Sequence, residues 1–455
     1  MMRRTPRSLK SSPAFHAVTF AVLFVFASPL LRAQDWFHLE SSNGAERIRI
    51  AVADFKPGTP DPATESYKRA FDTTLFSDLN VAGIFDIVSK SQIPQNSPGA
   101  PAEMNLSQWS APPASATMVA FGSVSTRGGR LVVNGYLDDT KNAQYPQVFG
   151  KQYTEEPGED QARQIAHRFA DEIISRLGGG VAGIAETKIY YVKQTGPNKE
   201  IWEMDYDGQN QHALTHLGTV SLSPRISPDN TRLAFSALGR EGFQIKMFSM
   251  LLNRIVNFPA AGGTNLSPAW SPSGNQLAFS SSRTGDPEIW TADGEGNVAR
   301  RITSFRGPDV SPVWNPKTGA QIAWISGRTG LPQLYIMDAD GSGVQRMTDG
   351  GYATSPSWSP NGQFLAFAWN RKYGPGAPGG QDIYIMEIAS KRWIQLTHDI
   401  GRCDFPSWSP DGRHIVFANT AGGNSSVRIM TMLADGTQKR ALTGSGADMP
   451  NWSWK

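Results

Sequence analysis

The sequence predicts a two-domain chain: a small N-terminal α/β domain followed by an all-β six-bladed β-propeller closed by its C-terminal strand. Three observations carry that prediction. A proline–tryptophan phrase returns at a nearly fixed period. Each period holds four short β segments. The array begins and ends out of phase by one strand.

The phrase reads "PRISPDNTRLAFSA" from Pro224, "PAWSPSGNQLAFSS" from Pro268 and "PVWNPKTGAQIAWIS" from Pro312. It returns as "PSWSPNGQFLAFAW" from Pro356, "PSWSPDGRHIVFAN" from Pro406 and, cut short, "PNWSWK" from Pro450. Its third residue is Ile226, Trp270, Trp314, Trp358, Trp408 or Trp452, at intervals of 44, 44, 44, 50 and 44 residues. A period of this length marks propeller blades. A second phrase, such as "EIWTADGEG" or "QLYIMDADG", and a third, such as "RRITS" or "IQLTH", complete each period. With Gly-rich turns between them, these make four strands, which is one blade.

Each residue of the first phrase has a structural use. Asx-Gly between apolar strands is a hairpin turn, because both residues tolerate positive φ. Ser-Pro sets the chain before the turn, and the indole is a wedge between neighbouring blades. The phrase's Asp is replaced by Ser273, Lys317 or Asn361 in other repeats, which favours scaffold over catalysis. The array opens at "KIYYVKQ" with no Trp phrase before it, and ends at "PNWSWK" with no strand after it. The last strand therefore belongs in the first blade. Ring closure removes the exposed sheet edges.

Ahead of the array, residues 47–180 do not repeat and predict the α/β domain, with the propeller spanning 185–455. "RIRIAVADF" is a strand, and "TESYKRAFDTTLFSDL" places Tyr67, Phe71, Leu75 and Leu79 on one helical face. "FDIVSK", "ATMVAFGSVST", "RLVVNGYLDD" and "QVFGKQYTE" are further strands. "EDQARQIAHRFADEIISRLG" is an amphipathic helix stopped by Gly178, with His167 off its apolar face and expected in solvent. "GGGVAG" links the domains.

The first 33 residues read as a secretory leader. Arg3, Arg4, Arg7 and Lys10 precede an apolar run from Ala17 to Ala27, too short to span a bilayer. Cleavage is expected after Ala33, with Ala27 the alternative, leaving a tail at 34–46. The expected compartment is the periplasm. The formal charge of +3 gives no basis for nucleic-acid binding. A single cysteine, Cys403, permits neither an intrachain disulfide nor a Cys-based zinc site.

No nucleophile elbow, HExxH, P-loop or His/Cys cluster is present, so the sequence predicts no enzyme and no cofactor. Two binding candidates remain. Asp309, Asp404 and Asp448, with Asn265 and Thr354, stand where the chain enters its innermost strands, and could line a central channel. A metal-dependent lactonase built on such acids is the enzymatic alternative, and a polar turn residue is the plain one. Arg240, Arg283, Arg328 and Arg371, with Lys372, recur in the loops between the second and third strands. They could form a basic rim that steers an acidic partner, or be ordinary solvated charge.

The combination of motifs resembles the TolB family over nearly the whole mature chain. The resemblance rests on the leader, "IAVADF", "FDIVSKSQ" with the "W-S" segment after it, "KIYYV", the repeated W-S-P-[DN]-G phrase and the terminal "P-N-W-S". It implies a non-catalytic, monomeric periplasmic scaffold of the Tol–Pal system. Such a scaffold holds the peptidoglycan-associated lipoprotein Pal on the propeller and offers its N-terminal tail to TolA of the inner membrane. It supports outer-membrane integrity and invagination at division. In this chain the tail residues concerned would be Trp36, Phe37 and Leu39, although "QDWFHLESSNGAE" departs from the family's aliphatic strand. The loop "FPAAGGTNLSPAW" is longer than its usual counterpart and lacks a His found there in some members. A propeller adaptor with another partner is the alternative.

Overall fold

The computed structural model describes residues 47–259, 262–297, 299–373, 380–421 and 427–455. The leader and the tail with Trp36, Phe37 and Leu39 lie outside the described residues.

The N-terminal domain is a mixed sheet backed by two helices. Its strands of three or more residues are β1 (Ile48–Val52), β2 (Phe85–Ile87), β3 (Met118–Arg127), β4 (Arg130–Asp139) and β5 (Gln147–Glu155), and the two-residue strand Lys56–Pro57 also pairs with β3. They lie in the order β2-β1-β3-β4-β5, parallel at the first two pairings and antiparallel thereafter. Helix α1 (Pro62–Val81) starts where the Asp61 carboxylate accepts the Thr64 N–H at 2.9 Å and Pro62 supplies a preset φ. Helix α2 (Glu159–Leu177) carries Glu159 and Asp160 in its first turn, which suits the positive end of the helix dipole. Phe71, Leu75, Phe169 and Ile173 from these helices are buried on Val52, Val124 and Leu137 of the sheet. Gly135 lets the Phe169 ring come close, since a Cβ there would lie 2.7 Å from it. Trp109, from the "W-S" segment, covers the opposite sheet face with Val119 and Phe121.

Six four-stranded sheets form the propeller. The inner strands are Ser221–Ile226, Asn265–Trp270, Asp309–Trp314, Tyr352–Trp358, Arg402–Trp408 and Ala447–Trp452. The last pairs antiparallel with Lys188–Thr195, Asn451 opposite Tyr190 and Trp452 opposite Ile189. The ring is thus closed as expected from the phase of the repeat.

The three phrases explain each blade. In the first, Ser359 Oγ donates to Asn361 at 2.6 Å and accepts the Phe364 N–H at 3.0 Å, while Gly362 takes φ 72°. Ser227 with Asp229 does the same in an earlier blade. The phrase's Asx side chain therefore holds the turn. The wedge tryptophans are buried, and Trp270 and Trp358 donate to the carbonyls of Arg225 and Val313 in the preceding blade. In the third phrase, Thr215, Thr303, Thr348 and Thr397 donate to Glu200, Glu288, Gln333 and Asp382 at the start of the second phrase. Each of these hydroxyls also accepts a backbone N–H of the neighbouring strand. Buried polar groups are thereby satisfied in pairs.

The two domains meet at the Trp end of the blades, through buried polar contacts. Asp78 of α1 lies 2.7 Å from His167 Nδ1 of α2 and accepts the Tyr206 hydroxyl of the propeller at 2.5 Å. His414 Nε2 lies 2.8 Å from the Val81 carbonyl, and its Nδ1 lies 3.1 Å from Asp411. Arg163 pairs with Asp207 at 2.7 Å, and Lys455 with Asp171. This corrects the expectation for His167. It is off the helix's apolar stripe, but the face it occupies is covered by the propeller and the residue is 4 % exposed.

Two outcomes are expected. Removing Pro450–Lys455 deletes the closing strand's end and the buried Trp452. Truncating one buried tryptophan costs about 3–5 kcal/mol, so the thermal midpoint should fall by roughly 10 °C or more. An unchanged midpoint would contradict closure by this strand. The Asp78–His167 pair also predicts a pH dependence. Burial pushes Asp78 up, outweighing the downward pull of its His167 contact. Burial alone would lower His167, but the Asp78 hydrogen bond and charge raise it above its ordinary 6.5. The folded pair holds its proton more tightly than the unfolded chain does. The stability His167 contributes is therefore complete below pH 6.5 and lost as pH rises through its raised value. Thermal midpoints from pH 6 to 9 should fall more steeply for the native chain than for His167→Gln. Equal slopes would refute the coupling.

Candidate functional site

The blade geometry builds one site on the propeller axis. Each inner strand carries a register shift that marks a bulge, for example between Leu266 and Ala269 or between Asp404 and Ser407. At each bulge one residue has positive φ: Ser223, Ser267, Ser311, Ser355, Phe405 and Met449, all between 50° and 54°. A β-bulge bends and twists its strand. Here it recurs six times at one level and sets a waist, where these residues with Pro268, Pro312 and Pro356 line a cavity of about 30 Å³. A second cavity, of about 110 Å³, lies toward the Trp phrases.

The bulge divides the predicted channel residues into two groups. Asn265 and Asp309 stand two residues before the positive-φ position and are 1 % and 0 % exposed. Asn265 donates to Gln244 at 3.0 Å and accepts from Arg283 at 3.4 Å. Asp309 pairs with Arg328 at 2.9 Å. Both are held between strands, off the channel wall. Thr354, Asp404 and Asp448 stand one residue before the bulge, and adjacent strand residues face opposite sides. They gather at the mouth remote from the α/β domain. Thr354 donates to Asp404 at 3.2 Å, Ser355 does so at 2.8 Å, and Arg402 pairs with Asp404 at 3.0 Å. Asp448 accepts the Met449 N–H at 2.8 Å. Burial raises its pKa, and the Asp404 charge adds to the rise.

The arginines also divide. Arg283 Nε donates to Ser281, and its guanidinium stacks 4.3 Å from the Trp290 ring. Arg328 donates to Ser326 and stacks on Phe305, Trp324 and Tyr335 at 4.9–5.4 Å. Arg371 stacks 4.1 Å from Trp393 and 5.0 Å from Trp369. Arg240 stands exposed in the two-residue turn of its hairpin. Arg283, Arg328 and Arg371 of the expected rim therefore form cation–π stacks that hold the loops, and Arg240, Arg371 and Lys372 are its exposed members. Cys403 is buried, and burial pushes its thiol up to about 11, so it is an inert core residue.

Sequence reasoning passed over Arg225. It occupies the position before the wedge, where the other repeats carry Ala269, Val313, Ser357, Ser407 and Asn451, and it lines both cavities. The signal was visible in the aligned repeats, as one charge among five neutral residues. Among the described residues, no group of three or more His, Cys, Asp or Glu is placed to hold a metal ion.

Comparison with known proteins agrees with this architecture. A family model described as the TolB beta propeller domain matches residues 176–454, and one described as the TolB amino-terminal domain matches residues 41–145. A protein named "Protein TolB homolog" from Chlorobium luteolum is 29% identical over 303 residues, covering 66% of each chain. A "Tol-Pal system protein TolB" from a Ruegeria species is 32% identical over 215 residues, covering 46% of each. The matches thus span from under half to about two thirds of these relatives' lengths. The crystal structure of TolB from Acinetobacter baumannii superimposes with a TM-score of 0.75, covering 90% of this chain and 98% of the other, at 23% identity.

The buried Arg328–Asp309 pair gives a direct test of the rim assignment. Removing one partner of a buried pair costs about 3–5 kcal/mol, because the other charge stays desolvated. Arg328→Ala should therefore lose that much stability in denaturant unfolding. Arg240→Ala should change it by about 0.5 kcal/mol or less. Equal effects would mean that Arg328 is not structural.

Proposed function

The chain belongs to the TolB family, and from that premise we propose that it is a non-catalytic periplasmic scaffold of the Tol–Pal system. Its propeller docks a Pal-like peptidoglycan-associated lipoprotein over the mouth formed by Thr354, Asp404 and Asp448. Its N-terminal tail, with Trp36, Phe37 and Leu39, serves a TolA-like inner-membrane protein. The scaffold couples the two membranes during envelope maintenance and division.

The observation that supports this reading most is the conjunction of both family domains on one chain with a rigid, polar mouth on the propeller face left open by the α/β domain. Thr354, Ser355 and Arg402 already hold Asp404, so a partner meets groups ordered in advance and loses little entropy on this side. Asp448 is the better probe of docking. Asp404 supports its neighbours through several hydrogen bonds, and its removal would unsettle the mouth itself.

Surface-immobilised full-length chain and a purified Pal-like domain test the proposal. Asp448→Asn should speed dissociation about tenfold or more while shifting the melting temperature little, because it removes a charge at the mouth without changing the side chain's size. Arg240→Glu with Arg371→Glu should slow association at low salt and lose that effect at high salt. Unaltered kinetics in both variants, or no binding by the native chain, would overturn docking at this face.

A further inference from the structure

The propeller axis carries a charge that the repeat does not require. Arg225 lines both axial cavities, and among the described residues it is the one charged side chain lining either of them. Its Nη1 donates to the Pro224 carbonyl at 2.9 Å. Among the described residues no carboxylate forms an ion pair with it. The channel-facing acids, Asp404 and Asp448, stand at the other mouth, beyond the waist. Burial pulls the Arg225 pKa down to about 10, so it stays charged at neutral pH. Arg225 is half-buried at the cavity wall. A guanidinium has five N–H donors, and a cation partly withdrawn from water with no counter-charge is costly.

The surroundings specify what would relieve that cost. The larger cavity, of about 110 Å³, is walled by proline rings and indole edges, including Trp270, Trp358, Pro360 and Pro410. It has room for several water-sized groups, not for a folded element. A single planar fork pairs with the two oxygens of a carboxylate, whereas one cation among neutral walls compensates a phosphate dianion poorly. We propose that the Trp-ringed end of the channel binds a small carboxylate with a flat apolar body, its two oxygens on Arg225 and its body among the proline and tryptophan side chains. This site opens on the face that carries the α/β domain, opposite the Asp448 mouth. It does not depend on the docking reading above.

Two sources share this chemistry: a free aromatic acid, and the C-terminal carboxylate of an apolar peptide. Sodium benzoate represents the first, and N-acetyl-Phe-Phe with a free C-terminus the second. Titrated into the full-length chain and followed by tryptophan fluorescence and calorimetry, at least one of them should bind saturably. Its neutral counterpart, benzamide or the peptide amide, should bind at least tenfold more weakly. Whichever carboxylate saturates at lower concentration identifies the source. Arg225→Met should weaken binding at least tenfold. Val313→Asp, which puts a carboxylate on the same two cavities, should abolish binding by pairing with Arg225 internally. Should Arg225→Met fail to fold, the acid–amide comparison in the native chain still decides. Equal binding of acid and amide, equal or tighter binding of inorganic phosphate, or retention of affinity in either variant would overturn the proposal.

Discussion

Closure of the ring is the constraint on which the rest of this structure depends. The strand Ala447–Trp452 must cross back over more than 250 residues of chain to pair with Lys188–Thr195. Once it does, six inner strands share one axis, and little freedom remains for any of them. The positive-φ residues at the six bulges, including Phe405 and Met449 where side chains oppose that conformation, follow from bending each strand at the same height. The buried tryptophans follow as well. Blades that splay outward leave a wedge-shaped gap near the axis, and an indole fills it.

Closure also separates two faces with different chemistry. The end bearing the wedge tryptophans receives the α/β domain through Asp78, Tyr206, His414 and Asp411, groups that are buried but mutually bonded. Such an interface gains less from apolar burial than from geometric match, and breaking one member leaves its partners unsatisfied. The other end keeps its polar mouth uncovered by the α/β domain, with Asp404 itself buried there. Arg283, Arg328 and Arg371 stack on aromatic side chains beside them, so much of the apparent surface charge is spent on holding loops in place. A formal charge of +3 therefore says little about what the face attracts.

The period, the four-strand content and the phase of closure were all legible in the sequence, because each depends on residues that recur. What the repeat hid were departures within single blades. Asn265 and Asp309 looked equivalent to Thr354, Asp404 and Asp448, yet they lie one residue earlier relative to the bulge. In a strand, one residue reverses the side a group faces. His167 looked solvent-facing because helix periodicity reports only the stripe that meets its own sheet, not a second face covered by another domain. Arg283 and Arg328 looked like rim charges because a loop sequence does not show that its side chains fold back, here onto Trp290 and Trp324 of the strands flanking each loop. Arg225 was visible as an odd residue among the aligned repeats, but that no acid among the described residues pairs with it emerges only in three dimensions.

The most direct test of the account is native-state hydrogen exchange at the seam. Ser453 N–H donates to the Lys188 carbonyl, and Gln194 N–H donates to that of Gly446, each at 2.8 Å. If the seam is an integral part of the ring, these two amides exchange only through global unfolding, at the same free energy as Leu277 and Ile322 deep in other blades. Exchange at the seam that is orders of magnitude faster, while those blades stay protected, would show that the ring opens at its closing strand and would contradict the account.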